Sequence, residues 1–124
     1  MLPFSIGARC WIRSAFTPSL ISAVAAISPA IWTTYDEAKR ANSGAYASLD
    51  AFTATDAVTH VRALEGKPVR IASGSDDPFH SGVVALAEVV PSSTTVIISA
   101  GCHTDPFFVS QEPPSLKFLG EHLT

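Results

Sequence analysis

The sequence predicts an α/β fold of about three parallel strands with flanking helices, and three observations carry that expectation. Short apolar runs rich in Val, Ile and small residues recur at 20–29, 69–73 and 94–100, the composition of buried strands. The stretches between them show helix caps and helical spacing instead. Strands that alternate with helices pair in parallel through right-handed crossovers.

At 124 residues, 47% hydrophobic and 15% charged, the chain is apolar enough for one core and too apolar for disorder. One domain is expected over residues 20–124, preceded by an irregular segment at 1–19. The net charge of −3 and the scattered Lys and Arg supply no basic stripe, so no nucleic-acid partner is expected. A membrane partner is not expected either. Cys10 and Cys102 are too far apart for any zinc spacing, and the sequence calls for no cofactor and no metal.

Met1–Pro18 holds Arg9, Arg13 and two prolines without a clear period. Joined to Leu20–Ala30 it imitates an export signal, with a basic start, an apolar run and small residues. Leu20–Pro29 reads equally as a buried strand that Pro29 ends. Tyr35–Ala41 reads as a helix, acidic early and basic late as the helix dipole favours, and Asn42-Ser43-Gly44 stops it. Ser48 or Asp50 caps a short turn through Phe52. Thr55 or Asp56 caps a helix through Val58, Val61 and Leu64 that ends at Gly66, with His60 a surface or packing residue.

Pro68-Val69-Arg70-Ile71-Ala72-Ser73 is the central strand. It turns at Gly74 and presents Asp76 and Asp77, with Pro78 at the first position of a helix running to Val90 and Asp77 as its N-cap. Pro91-Ser92-Ser93 separates that helix from the strand Thr94–Ala100. Gly101-Cys102-His103 follows, and Thr104 or Asp105 caps a last helix. Phe107, Phe108, Val109, Leu116, Phe118, Leu119 and Leu123 are its candidate buried face, and Pro113-Pro114 is expected to split it in two.

An acid and a histidine therefore close two successive strands, at the carboxyl edge where α/β sheets keep their ligands. The chemistry that needs this pair is general-base activation of a nucleophile. A serine hydroxyl attacks only when an imidazole takes its proton, and a carboxylate on the other ring nitrogen fixes the tautomer and stabilises the cation. Asp77 and His103 are the candidates. Gly74-x-x-Asp77 favours Asp77 over Asp76, which becomes a solvated neighbour, and Asp77 also reads simply as a helix cap. A metal reading would draw on Asp76, Asp77, His80, His103 and Asp105, and it ranks lower because no helix carries His and Glu at metalloprotease spacing. Cys102 at a strand end reads as packing.

At these residues a resemblance emerges. Ala23-Val24-Ala25-Ala26-Ile27-Ser28-Pro29-Ala30-Ile31-Trp32 resembles the strand after the nucleophile in actinobacterial esterases of the α/β-hydrolase superfamily. Val69–Phe79 resembles their acid-bearing strand, and Gly101-Cys102-His103 their histidine turn. The likeness covers residue 20 onward, and it favours the core-strand reading of Leu20–Pro29 over export, hence a cytoplasmic location by a slight margin. It implies a partial α/β-hydrolase fold, the C-terminal half of a serine esterase, with Asp77 and His103 as catalytic acid and base.

The departure from that family is as informative. Its members carry a Gly-x-Ser-x-Gly elbow before the Ala23 strand, and this sequence has none. Gly7 is the nearest upstream glycine and has no elbow pattern, while Ser73 and Ser75 lie on the acid's own turn. The expectation is an esterase-like half that is inactive alone. A small-molecule ester is the substrate of the full-length ancestor, and a complementary chain is the candidate source of the nucleophile. The alternative is a non-catalytic α/β binding or regulatory module.

Overall fold

The computed structural model describes residues 21–123; the expectations for Met1–Pro18 and Cys10 lie outside them. In chain order come β1 (Val24–Ile27), α1 (Tyr35–Ala41), α2 (Leu49–Thr53), a 3-10 turn (Val61–Leu64), β2 (Val69–Gly74), α3 (His80–Ala87), β3 (Thr94–Ser99) and α4 (Asp105–Glu121). The three strands form one parallel sheet in the order β1-β2-β3. Val24 lies opposite Val69, and Val69 opposite Thr94.

Every residue of the central strand β2 is buried, and strand alternation divides them between two faces. Val69 and Ile71 join Val83 and Leu86 of α3, Val61 and Leu64 of the 3-10 turn, and Ile31 in the main core. Each fully buried aliphatic side chain there contributes about 1.5–3 kcal/mol. Arg70 points the other way, to α4, which packs on β1 and β2. The sheet is thus flanked on both faces, with flanking helices as expected for a partial α/β fold.

A second apolar cluster fills the connection from β1 to α2. Ala30, Trp32, Ala38, Ala45, Tyr46 and Phe52 pack together, with Tyr35 and Phe79 against them. Its rings meet edge-on, Trp32 with Tyr46 at 6.2 Å and Tyr46 with Phe52 at 5.1 Å, the geometry ring quadrupoles favour. Local chemistry starts the helices beneath it. The Thr34 hydroxyl accepts from the Glu37 amide at 3.2 Å, while the Glu37 carboxylate accepts from the amide and hydroxyl of Thr33. The Ser48 hydroxyl accepts from the Ala51 amide at 3.1 Å. One orphan amide at each start, Glu37 in the first and Ala51 in the second, finds its partner this way.

Several elements differ from expectation. The ladder of β1 is only Val24–Ile27, because Ser28 turns the chain out of the sheet at φ 47°. No α-helix forms from Thr55 or Asp56 to Leu64. The Asp56 carboxylate accepts from the amides of Val58 and Thr59 and from the Thr59 hydroxyl, a local turn that competes with helix. The chain then passes through turns into the 3-10 segment. The helix after the acid begins at His80 and ends at Ala87, shorter at both ends than Pro78 to Val90. Asp77 does not cap it, because its carboxylate bonds the Phe79 amide two residues on and closes a separate turn. Finally, α4 runs unbroken through Pro113-Pro114. Of its proposed buried face, Phe107 is buried, whereas Val109, Leu116 and Leu123 are exposed.

Candidate active site

The two turns that carry the candidates are laced together by backbone. The Ser75 amide donates to the Ser99 carbonyl at 2.9 Å, and the Asp76 amide to the Gly101 carbonyl at 2.9 Å. Such closeness needs glycine on both sides. A Cβ on Gly74 would lie 2.3 Å from the Gly101 carbonyl oxygen. Gly101 itself sits at φ 149°, and a Cβ there would lie 2.5 Å from the Phe107 ring, a conformation and a space open to glycine alone.

On this scaffold Asp77 Oδ2 and His103 Nδ1 stand 3.0 Å apart, with side-chain exposures of 0% and 20%. The other carboxylate oxygen accepts from the Phe79 amide at 2.8 Å. Both oxygens are therefore engaged, which fixes the carboxylate plane and aims it at the ring. An ionised carboxylate only accepts, so Nδ1 carries the shared hydrogen and Nε2 becomes the basic nitrogen of the neutral imidazole. The ring is held by Phe79 at 5.3 Å and by Phe108 at 5.1 Å, both edge-on. Phe79 also meets Trp32 at 5.4 Å, so the aromatic cluster above the sheet buttresses the histidine.

The remaining candidates are not gathered here in the same way. Asp76 is exposed. Cys102 is exposed rather than packed, its thiol donating to the Asp76 carbonyl at 3.2 Å; the turn after Gly101 carries it beyond the strand end where packing was expected. His80 has a buried Nδ1 with no hydrogen-bond partner among the described residues. No group of three metal-ligating side chains occurs among the described residues. Ser73 is fully buried, its hydroxyl donating to the Gly74 carbonyl at 3.5 Å, and Ser75 is exposed on the acid's turn.

Four residues in and around the site have roles that the sequence does not announce. Phe79 and Phe108 bracket the ring, whereas the sequence offers Phe79 only as the end of the acid-bearing stretch and Phe108 only as part of the last helix's buried face. Arg70 read as one more strand residue, yet it is buried and its guanidinium donates to Ser115 at 2.8 Å and to Gln111 at 2.9 Å. Burial lowers its pKa from the ordinary value, because desolvation disfavours the charged form. Ser28, at positive φ with a buried hydroxyl lacking a partner among the described residues, carried no signal at all.

No helix among the described residues is long and apolar enough to cross a membrane. No family profile, no curated protein and no solved structure matches the chain.

Proposed function

We propose that Asp77 and His103 form the acid–base half of a serine-esterase-type site, a carboxylic ester hydrolase whose nucleophile comes from a complementary chain. The observation that carries this reading is the 3.0 Å contact between Asp77 Oδ2 and His103 Nδ1 at the carboxyl edge of a parallel sheet. In the reaction the basic Nε2 would take the proton of a serine hydroxyl as that oxygen attacks the ester carbonyl. Asp77 would hold the tautomer and stabilise the imidazolium, and His103 would return the proton to the leaving alcohol.

Without the serine, the pair offers only general-base help to water. Loss of the nucleophile from a complete triad costs on the order of 10⁶ in turnover, and one missing oxyanion donor about 10²–10³. The chain alone is therefore expected to hydrolyse p-nitrophenyl acetate no faster than its His103→Ala variant. Activity that appears on adding a chain with a Gly-x-Ser-x-Gly elbow, and is lost in His103→Ala, supports the proposal. Burst kinetics from the chain alone would overturn it.

One observation favours a second reading, a non-catalytic α/β binding or regulatory module. Because Asp77 bonds both the Phe79 amide and His103, the pair also serves as a staple between two loops. Under that reading His103→Ala lowers stability and no added elbow chain restores turnover.

A further inference from the structure

Helix α4 contains two adjacent prolines and yet is continuous from Asp105 to Glu121. Neither proline has the N–H that would bond the carbonyl four residues back, so the carbonyls of Val109 and Ser110 lose their helical donors. The helix is weakest at this turn. Across the gap lies Arg70 of β2, only 6% exposed. Its Nη2 donates to Gln111 Oε1 at 2.9 Å and its Nη1 to Ser115 Oγ at 2.8 Å. The two acceptors stand one helical turn apart, one before the proline pair and one after it.

We propose that Arg70 is a positioning residue for the histidine: its two-pronged guanidinium splints α4 across Pro113-Pro114 and thereby holds the first turn of that helix, which seats His103. The link from helix to ring is direct. The amides of Phe107 and Phe108 donate to the Thr104 carbonyl at 3.0 and 3.1 Å. Phe107 fills the space over Gly101, and Phe108 meets the His103 ring edge-on. Arg70 also belongs to the strand that ends at the Asp77 turn, so one side chain ties the helix after the base to the strand before the acid. A planar fork can reach two acceptors a turn apart, and a lysine ammonium cannot do so equally. The functional meaning of this tie rests on Asp77–His103 being an acid–base pair; the tie itself does not.

The test reads the ring directly. Proton NMR follows the solvent-exchange rate of the His103 Nδ1–H, assigned by its loss in His103→Gln. Arg70→Met is expected to speed exchange about tenfold, and Arg70→Lys to give an intermediate rate. Adding Pro113→Ala and Pro114→Ala gives α4 back its own hydrogen bonds, so Arg70→Met in that background is expected to return to within about twofold of the unsubstituted protein. An unchanged rate in Arg70→Met overturns the proposal. Equally fast exchange in the combined variant also overturns it, because Arg70 would then act as ordinary packing. If circular dichroism shows Arg70→Met unfolded, Ser115→Ala takes its place, with about threefold faster exchange expected and no change contradicting the splint. No substrate enters the measurement, so absence of esterase complementation leaves its outcome intact.

Discussion

Asp77 uses one carboxylate oxygen to close the turn at Phe79 and the other to hold His103. Truncation to alanine strands two donors in a buried place, each worth about 1–3 kcal/mol when left unsatisfied. Asp77→Ala is therefore expected to cost about 3 kcal/mol in urea unfolding. Asp77→Asn keeps an acceptor for Phe79 and is expected to cost less than half as much. Gly74→Ala drives a methyl against the Gly101 carbonyl, and overpacking of that kind costs about 1–3 kcal/mol, measurable as a lowered thermal midpoint. The contact between Asp77 and His103 was legible because each follows a β-branched strand within a few residues and is set off by glycine. Arg70 was not, since its partners lie 41 and 45 residues further along the chain, and no local pattern encodes such a contact.

At the scale of elements, the strands were the most legible parts, because each is a short run with Val or Ile that Pro29, Gly74 or Gly101 closes. Helix limits were less so. Asp77, and Asp56 as the alternative to Thr55, have the sequence positions of caps, and both instead close turns of their own, as short carboxylates readily do. The proline pair in α4 shows tertiary structure overriding propensity. An interior proline costs about 3 kcal/mol relative to alanine, and the helix persists because Phe107 and Ser115 are buried against the rest of the fold while Arg70 spans the gap. Replacing Pro113 with alanine is expected to raise stability by about 1–3 kcal/mol, read from the shift in thermal midpoint. The apolar residues of α4 misled in a different way. The helix packs chiefly on two strands, so a narrow stripe is buried, and Val109, Leu116 and Leu123 fall outside it.

For the whole molecule, the sheet has three strands, and among the described residues β1 and β3 each pair on one side only. β3, Thr94–Ser99, contains no charge and no proline, so it lacks the usual features that stop edge strands from pairing with other chains. Ile98 is 40% exposed on it. Ile98→Lys is expected to reduce self-association in light scattering at high protein concentration, with stability changed by no more than about 0.5 kcal/mol.

The central proposal is that Asp77 and His103 are an oriented acid and base with no serine among the described residues placed as their nucleophile. Intact-mass analysis after incubation with a fluorophosphonate, which labels only an activated serine, tests that claim most directly. The account predicts an unmodified mass for the chain and for His103→Ala alike. A stoichiometric adduct on a serine of the chain, abolished by His103→Ala, would contradict it.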